Sequence, residues 1–145
     1  MTALATQLRR LKACPEARTW AEPYTTLAEA WAVCPRGDWM HWLLDALDTH
    51  AEPRQTAAYR AADRAVRVYA VSALRSAGLG AHADTLAALT PITDAATAAA
   101  AGRAAHAAWN ATDAARSASA AAGSAELLHQ ADDLRELIPN PEVKS

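Results

Sequence analysis

Two short strings in this 145-residue chain place a carboxylate and an imidazole three residues apart, Asp38-Trp-Met-His41 and Glu126-Leu-Leu-His129. On a helix such residues share a face, and di-iron bundles use Glu-x-x-His pairs in this way together with two further glutamates. With five histidines and sixteen acidic residues in the chain, matches of this kind arise by chance, so the strings alone imply no metal. Cys34 and His41 would have to serve as nucleophile and base for thiol chemistry. A reactive thiolate needs an electropositive, partly exposed setting, and no residue pattern around Cys34 supplies one. No P-loop, Gly-rich strand-to-helix turn or nucleophile elbow is present. The expectation is a protein without catalytic residues, metal or cofactor, and therefore not an enzyme.

The densest group of chemically distinctive side chains is Glu29–Leu44, "EAWAVCPRGDWMHWLL", with three tryptophans, a cysteine and an Arg-Gly-Asp triplet. Gly37 suits a turn, and Asp38 is placed to cap the helix that follows by accepting from the amides of Met40 or His41. That engagement makes the triplet a helix start rather than a recognition string. Arg36 is expected either to pair with Asp38 or to reach the end of the preceding helix. Trp39 and Trp42 lie three apart, and Leu43, Ala46 and Leu47 complete a stripe at core spacing. Both are expected in the core, as are Trp20 and Trp31, because each indole buries about 150–250 Å²; the alternative is an exposed aromatic anchor for a partner. Cys14 and Cys34 leave pairing open, since two cysteines alone do not establish a bridge.

Prolines and glycines mark the elements that must position these residues. Thr2 caps a first helix to about Ala13, stopped by Pro15, which opens "PEARTWA". Thr25 or Thr26 caps "LAEAWAVC", halted by Pro35, and a helix from Trp39 to about His50 follows. Pro53 opens a helix closed by Gly78, in which Tyr59, Ala62, Val66, Tyr69 and Ala73 form one face and Arg60, Asp63, Arg64 and Arg67 another. A lesser helix lies at about 81–89. Thr90-Pro91 then leads into an alanine helix expected to reach Ala122, with Arg103, His106, Asn110, Asp113 and Ser117 recurring at three and four. Gly123-Ser124 restarts it as "AELLHQADDLRELI", ended by Pro139.

Alanine makes up about 28% of the chain, which favours helix throughout, and no segment alternates with period two. The fold class expected is all-α, a single compact helical bundle over 1–138 with a long Ala-rich C-terminal helix and a frayed tail at 139–145. The net charge of −2 lacks the basic stripe of a nucleic-acid binder. No apolar run is long enough to span a membrane, and no secretory h-region is visible at the N-terminus. The expected setting is cytoplasmic, with neither nucleic acid nor membrane as partner.

Taken together, "ACPEARTW", "EAWAVCPRGDWMHWLL", an alanine-dominated helix and "LLHQADDLRELIP" resemble the Imm-five-like immunity proteins of bacteria, actinobacteria especially, and their phages. The resemblance rests on Cys14, Glu16, Ala17 and Trp20, on Ala30, Trp31, Cys34, Arg36, Gly37, Asp38, Trp39, Trp42 and Leu43, and on Gln130, Ala131, Asp132, Leu134, Arg135 and Glu136. Members often carry cysteines in the middle helix, where this chain has "RVYAVSALR". The resemblance implies a small helical protein that neutralises a toxin effector by direct binding. The alternative is a phage or prophage inhibitor of a host defence system or host enzyme. Either role needs a complementary surface of about 800 Å² per partner. Two polar faces are the candidates: His41 with Asp45, Asp48 and Glu52, and the stripe Arg103, His106, Asn110 and Asp113. The protein partner would meet a monomer or a homodimer.

Overall fold

The computed structural model describes residues 1–109 and 123–142. These residues form helices and no strand, in the order α1 (Ala3–Arg10), α2 (Pro15–Ala21), α3 (Leu27–Val33), α4 (Gly37–Ala46), α5 (Ala51–Arg64), a π-helical segment (Ala65–Ala70), α6 (Val71–Ser76), α7 (Gly80–Ala87), α8 (Ala95–Trp109) and α9 (Gly123–Leu137). The fold is all-α. Asn110, Asp113 and the expected extension of the alanine helix to Ala122 lie outside the described residues. The chain divides into two compact units, Met1–Arg54 with Leu127–Ser145 (unit 1) and Gln55–Glu126 (unit 2).

In unit 1 the local chemistry of each helix end is explicit. The Thr2 hydroxyl accepts from Ala5 N at 3.1 Å, and the Cys14 sulfur accepts from Ala17 N at 3.5 Å with Pro15 in the first turn. Thr26 and Glu29 close a reciprocal capping box, and Thr25 adds its own amide and hydroxyl to the Glu29 carboxylate. These donors hold the Glu29 carboxyl below the usual range. Leu4, Leu8, Leu27 and Leu43 form the buried centre, with Leu11, Trp20, Tyr24 and Leu47 packed against it.

α9 is fastened to α3 and α4 by three different contacts. The Trp31 indole N–H donates to the Ile138 carbonyl at 2.9 Å. Arg135 donates to the carbonyls of Trp31 (3.2 Å) and Cys34 (2.6 Å), satisfying oxygens that the end of α3 would otherwise leave open. Gly37 lies against the α9 backbone so closely that a Cβ there would sit 2.7 Å from Ala131 N. The glycine therefore serves close approach rather than the turn expected of it, because its backbone is already helical.

Unit 2 has its own apolar cluster, Ala70, Val71, Leu74, Ala83 and Leu86, with Val66, Leu79, Leu89 and Ala104 packed on it. The helix expected without interruption from Pro53 to Gly78 carries the π-helical segment at its middle. Widening the turn puts residues five apart on one side, and Arg64 and Tyr69 both meet Glu126. Asp63, one turn earlier than Arg67, accepts from it and from Ile92 N at 2.9 Å, anchoring the segment before α8.

Candidate functional site

A cavity of about 50 Å³ opens within unit 1, lined by apolar side chains of α1 to α4 and of Cys34. Leu4, Leu8, Trp31, Met40 and Leu43 are among the buried residues of its floor. Among the described lining residues, only the side chains of Trp20, Trp39 and Trp42 retain appreciable exposure. The mouth must therefore be made by these three indoles. Trp20 and Trp39 stand with ring centroids 6.0 Å apart, and Tyr24 leans on the other side of Trp20 at 5.0 Å.

This arrangement corrects the expectation that all four N-terminal tryptophans are core. Trp31 is, at 3% exposure, but Trp42 is 38% exposed, and Trp20 and Trp39 are half-buried. The physical reason is the angular width of the stripe. Leu43 and Met40 take the inward side of α4, and Trp42, one step round the helix from Leu43, is carried to the surface.

The polar residues of the Arg-Gly-Asp triplet border the same mouth. Asp38 is not the cap residue. α4 begins at Gly37, no side chain caps it, and Asp38 lies inside its first turn. The Asp38 carboxylate instead accepts from Arg36 Nε at 2.8 Å and Nη2 at 2.7 Å, a bidentate pair. Arg36 holds its carboxyl below the ordinary aspartate range, against the opposing effect of partial burial. The guanidinium also lies over the Trp39 ring, 4.5 Å from its centroid, with Glu16 and Cys14 within electrostatic reach. Cys14, Glu16, Trp20, Arg36, Asp38, Trp39 and Trp42, distant in sequence, thus fall on one face of unit 1, with Cys34 in the pocket floor.

The groups that might do chemistry are differently disposed. Cys14 and Cys34 are unbridged, the first exposed and the second buried. Burial pushes the Cys34 thiol above its usual value, more than Arg36 and Arg135 lower it, so it is a poor nucleophile at neutral pH. Burial holds His41 below the usual imidazole value, assisted by Arg54 and opposed by Asp133 and Asp38. Glu126 is engaged by Arg64. Among the described residues no group of three or more histidine, cysteine or acidic side chains converges as a metal site.

Of the acidic face expected at His41, Asp45, Asp48 and Glu52, the structure joins two members through Arg54, which pairs with Asp45 at 2.8 Å and faces His41. Asp48 and Glu52 are exposed at the α4–α5 connection. Arg103 and His106 are exposed on α8. The exposure of the mouth indoles accords with the alternative of an aromatic anchor, because residue spacing places each ring on a helix stripe without fixing how far round the stripe is covered. No described helix is long and apolar enough to cross a membrane. No protein-family model, curated protein or solved structure matches this chain.

Proposed function

We propose that this chain is a non-enzymatic protein-binding module of immunity type, acting in the cytoplasm by seating a toxin effector on the three-indole mouth of unit 1. The observation that carries this reading is the 38% exposure of Trp42 beside half-buried Trp20 and Trp39 and the stacked Arg36. Exposed indole is costly in water, and clustered exposed apolar surface marks interaction sites. Tryptophan and arginine are the side chains that most often dominate binding energy at interfaces. Support for binding rather than catalysis comes from engagement of the nearby titratable groups, Asp38 by Arg36 and Cys34 by burial. Support for the immunity type comes from the coincidence of the mouth with the residues of the family resemblance.

The test is affinity capture from the native host with the wild type, Trp42→Ala and Arg103→Ala. Trp42→Ala is expected to change folding stability by about 1 kcal/mol or less, as a partly exposed site, and to lose the captured partner. Arg103→Ala is expected to retain it. Equal capture by all three proteins would remove the mouth from consideration.

A further inference from the structure

We infer that the mouth receives a basic segment of the partner protein, one aliphatic side chain entering the pocket while an adjacent lysine or arginine meets Asp45, with Asp38 adding negative charge on the other side of Trp42. The inference rests on the mouth being the partner-binding surface and adds the chemistry of what it binds.

The aliphatic part follows from volume and lining. An apolar cavity of about 150 Å³ takes a benzene ring, so one of about 50 Å³ admits only the tip of a branched aliphatic chain. Among the described residues its walls are hydrocarbon, indole and the sulfurs of Met40 and Cys34, with no carboxylate or cationic side chain to meet a polar tip.

The basic part follows from charge at the rim. On α4, Asp38 lies four residues before Trp42 and Asp45 three after it, so the two carboxylates flank the exposed ring on the helix surface. Each is paired with an arginine, yet the pairs are not symmetrical towards water. The Asp45 side chain is 81% exposed against 20% for Arg54, so the anionic end points outward. Asp38 is 43% exposed against 35% for Arg36, whose guanidinium is further engaged by the Trp39 face. Asp48 and Glu52 stand exposed beyond the end of α4. Unit 1 as a whole carries eight lysines and arginines against eleven aspartates and glutamates. A partner segment with positive charge is therefore complementary, and an acidic one is repelled.

The test is selection of a random peptide library on the immobilised full chain, followed by titration of the enriched peptides against wild type, Trp42→Ala and Asp45→Lys, each first shown to be folded by its melting curve. Enriched sequences are expected to pair a valine, leucine or isoleucine with a nearby lysine or arginine. Their affinity is expected to fall about thirtyfold in Trp42→Ala, as for a central anchor, and about fivefold in Asp45→Lys, with binding weakened by salt. Peptides lost in Trp42→Ala but without basic bias, and indifferent to Asp45→Lys, would overturn this inference while leaving the mouth as a binding surface. Peptides indifferent to Trp42→Ala would overturn both. A library yielding no enriched sequence would also overturn the inference, which requires a linear segment to suffice.

Discussion

A methyl group at position 37 would run into Gln130 Cβ and come to 2.7 Å from Ala131 N, nearer than side-chain carbon normally approaches backbone nitrogen. Because part of the obstruction is α9 backbone, rotamer changes cannot relieve it. Gly37→Ala is expected to cost about 3 kcal/mol, at the upper end of overpacking, measured as a lower denaturant midpoint. A loss under about 1 kcal/mol would mean that α4 and α9 separate more easily than their contact implies. Trp31 presents the reverse case, a large side chain fully enclosed and tied by its N–H to the Ile138 carbonyl. Trp31→Phe retains a ring but orphans that oxygen, and the expected loss is about 2–3 kcal/mol. A burial pattern read from spacing assigns Trp31 correctly. It fails for Trp42, because spacing locates a stripe and not its edges. Gly37 was legible as a special position, but the neighbour that demands it is 93 residues away in the sequence.

Helix ends explain where element boundaries depart from those expected. The starts at Thr2, Pro15 and Thr26 follow from hydroxyl, thiol and proline chemistry already present in the residues. The stops are harder, because among the described helices three end by the same left-handed motif with different residues at the critical place. Ala13 N donates to Leu8 O, Thr49 N to Leu44 O and Leu79 N to Leu74 O, the long hydrogen bond of the Schellman turn. The left-handed residue is Gly78 in the last case but Lys12 in the first and Asp48 in the second. Only the glycine announces itself, so residue pattern alone carries α1 and α4 too far, to Ala13 and His50. Lysine gains nothing from that conformation, and Lys12→Gly is expected to raise stability by about 1 kcal/mol. Gly78→Ala meets no atom within 4 Å, so its expected loss, again about 1 kcal/mol, reports the backbone alone. Thermal melts of both variants test the pair. A neutral Lys12→Gly would show that the lysine side chain supplies a contact that compensates. The π-helical segment was not legible at all, since "AVRVYA" satisfies an α-helical stripe equally well and its register depends on Glu126 reaching both Arg64 and Tyr69.

For the molecule as a whole, composition was enough to give an all-helical chain, because alanine, proline and glycine act locally. The distribution of charge was not, because pairing is decided by tertiary neighbours such as Arg54 for Asp45. The same neighbours make stability depend on pH in two separate windows. His41 loses water on folding and faces Arg54, which outweighs Asp133 and Asp38, so its folded value lies below the usual 6.5. Below pH 6.5 the unfolded chain then takes up a proton that the folded chain resists, and stability falls as pH falls. Asp38 and Glu29 are held below 3.8 and 4.5 by Arg36 and by the Thr25–Thr26 donors. Their stabilisation is complete above those values and disappears only as pH drops through the lower, folded ones. Urea midpoints measured from about pH 7.5 to 5.5 should therefore decline in the wild type and decline less in His41→Gln. A second decline below about pH 4 should persist in that variant. Identical slopes in the upper window for the two proteins would mean that His41 stays hydrated, and that the corner joining α4 to Arg54 is more open than its ion pair indicates.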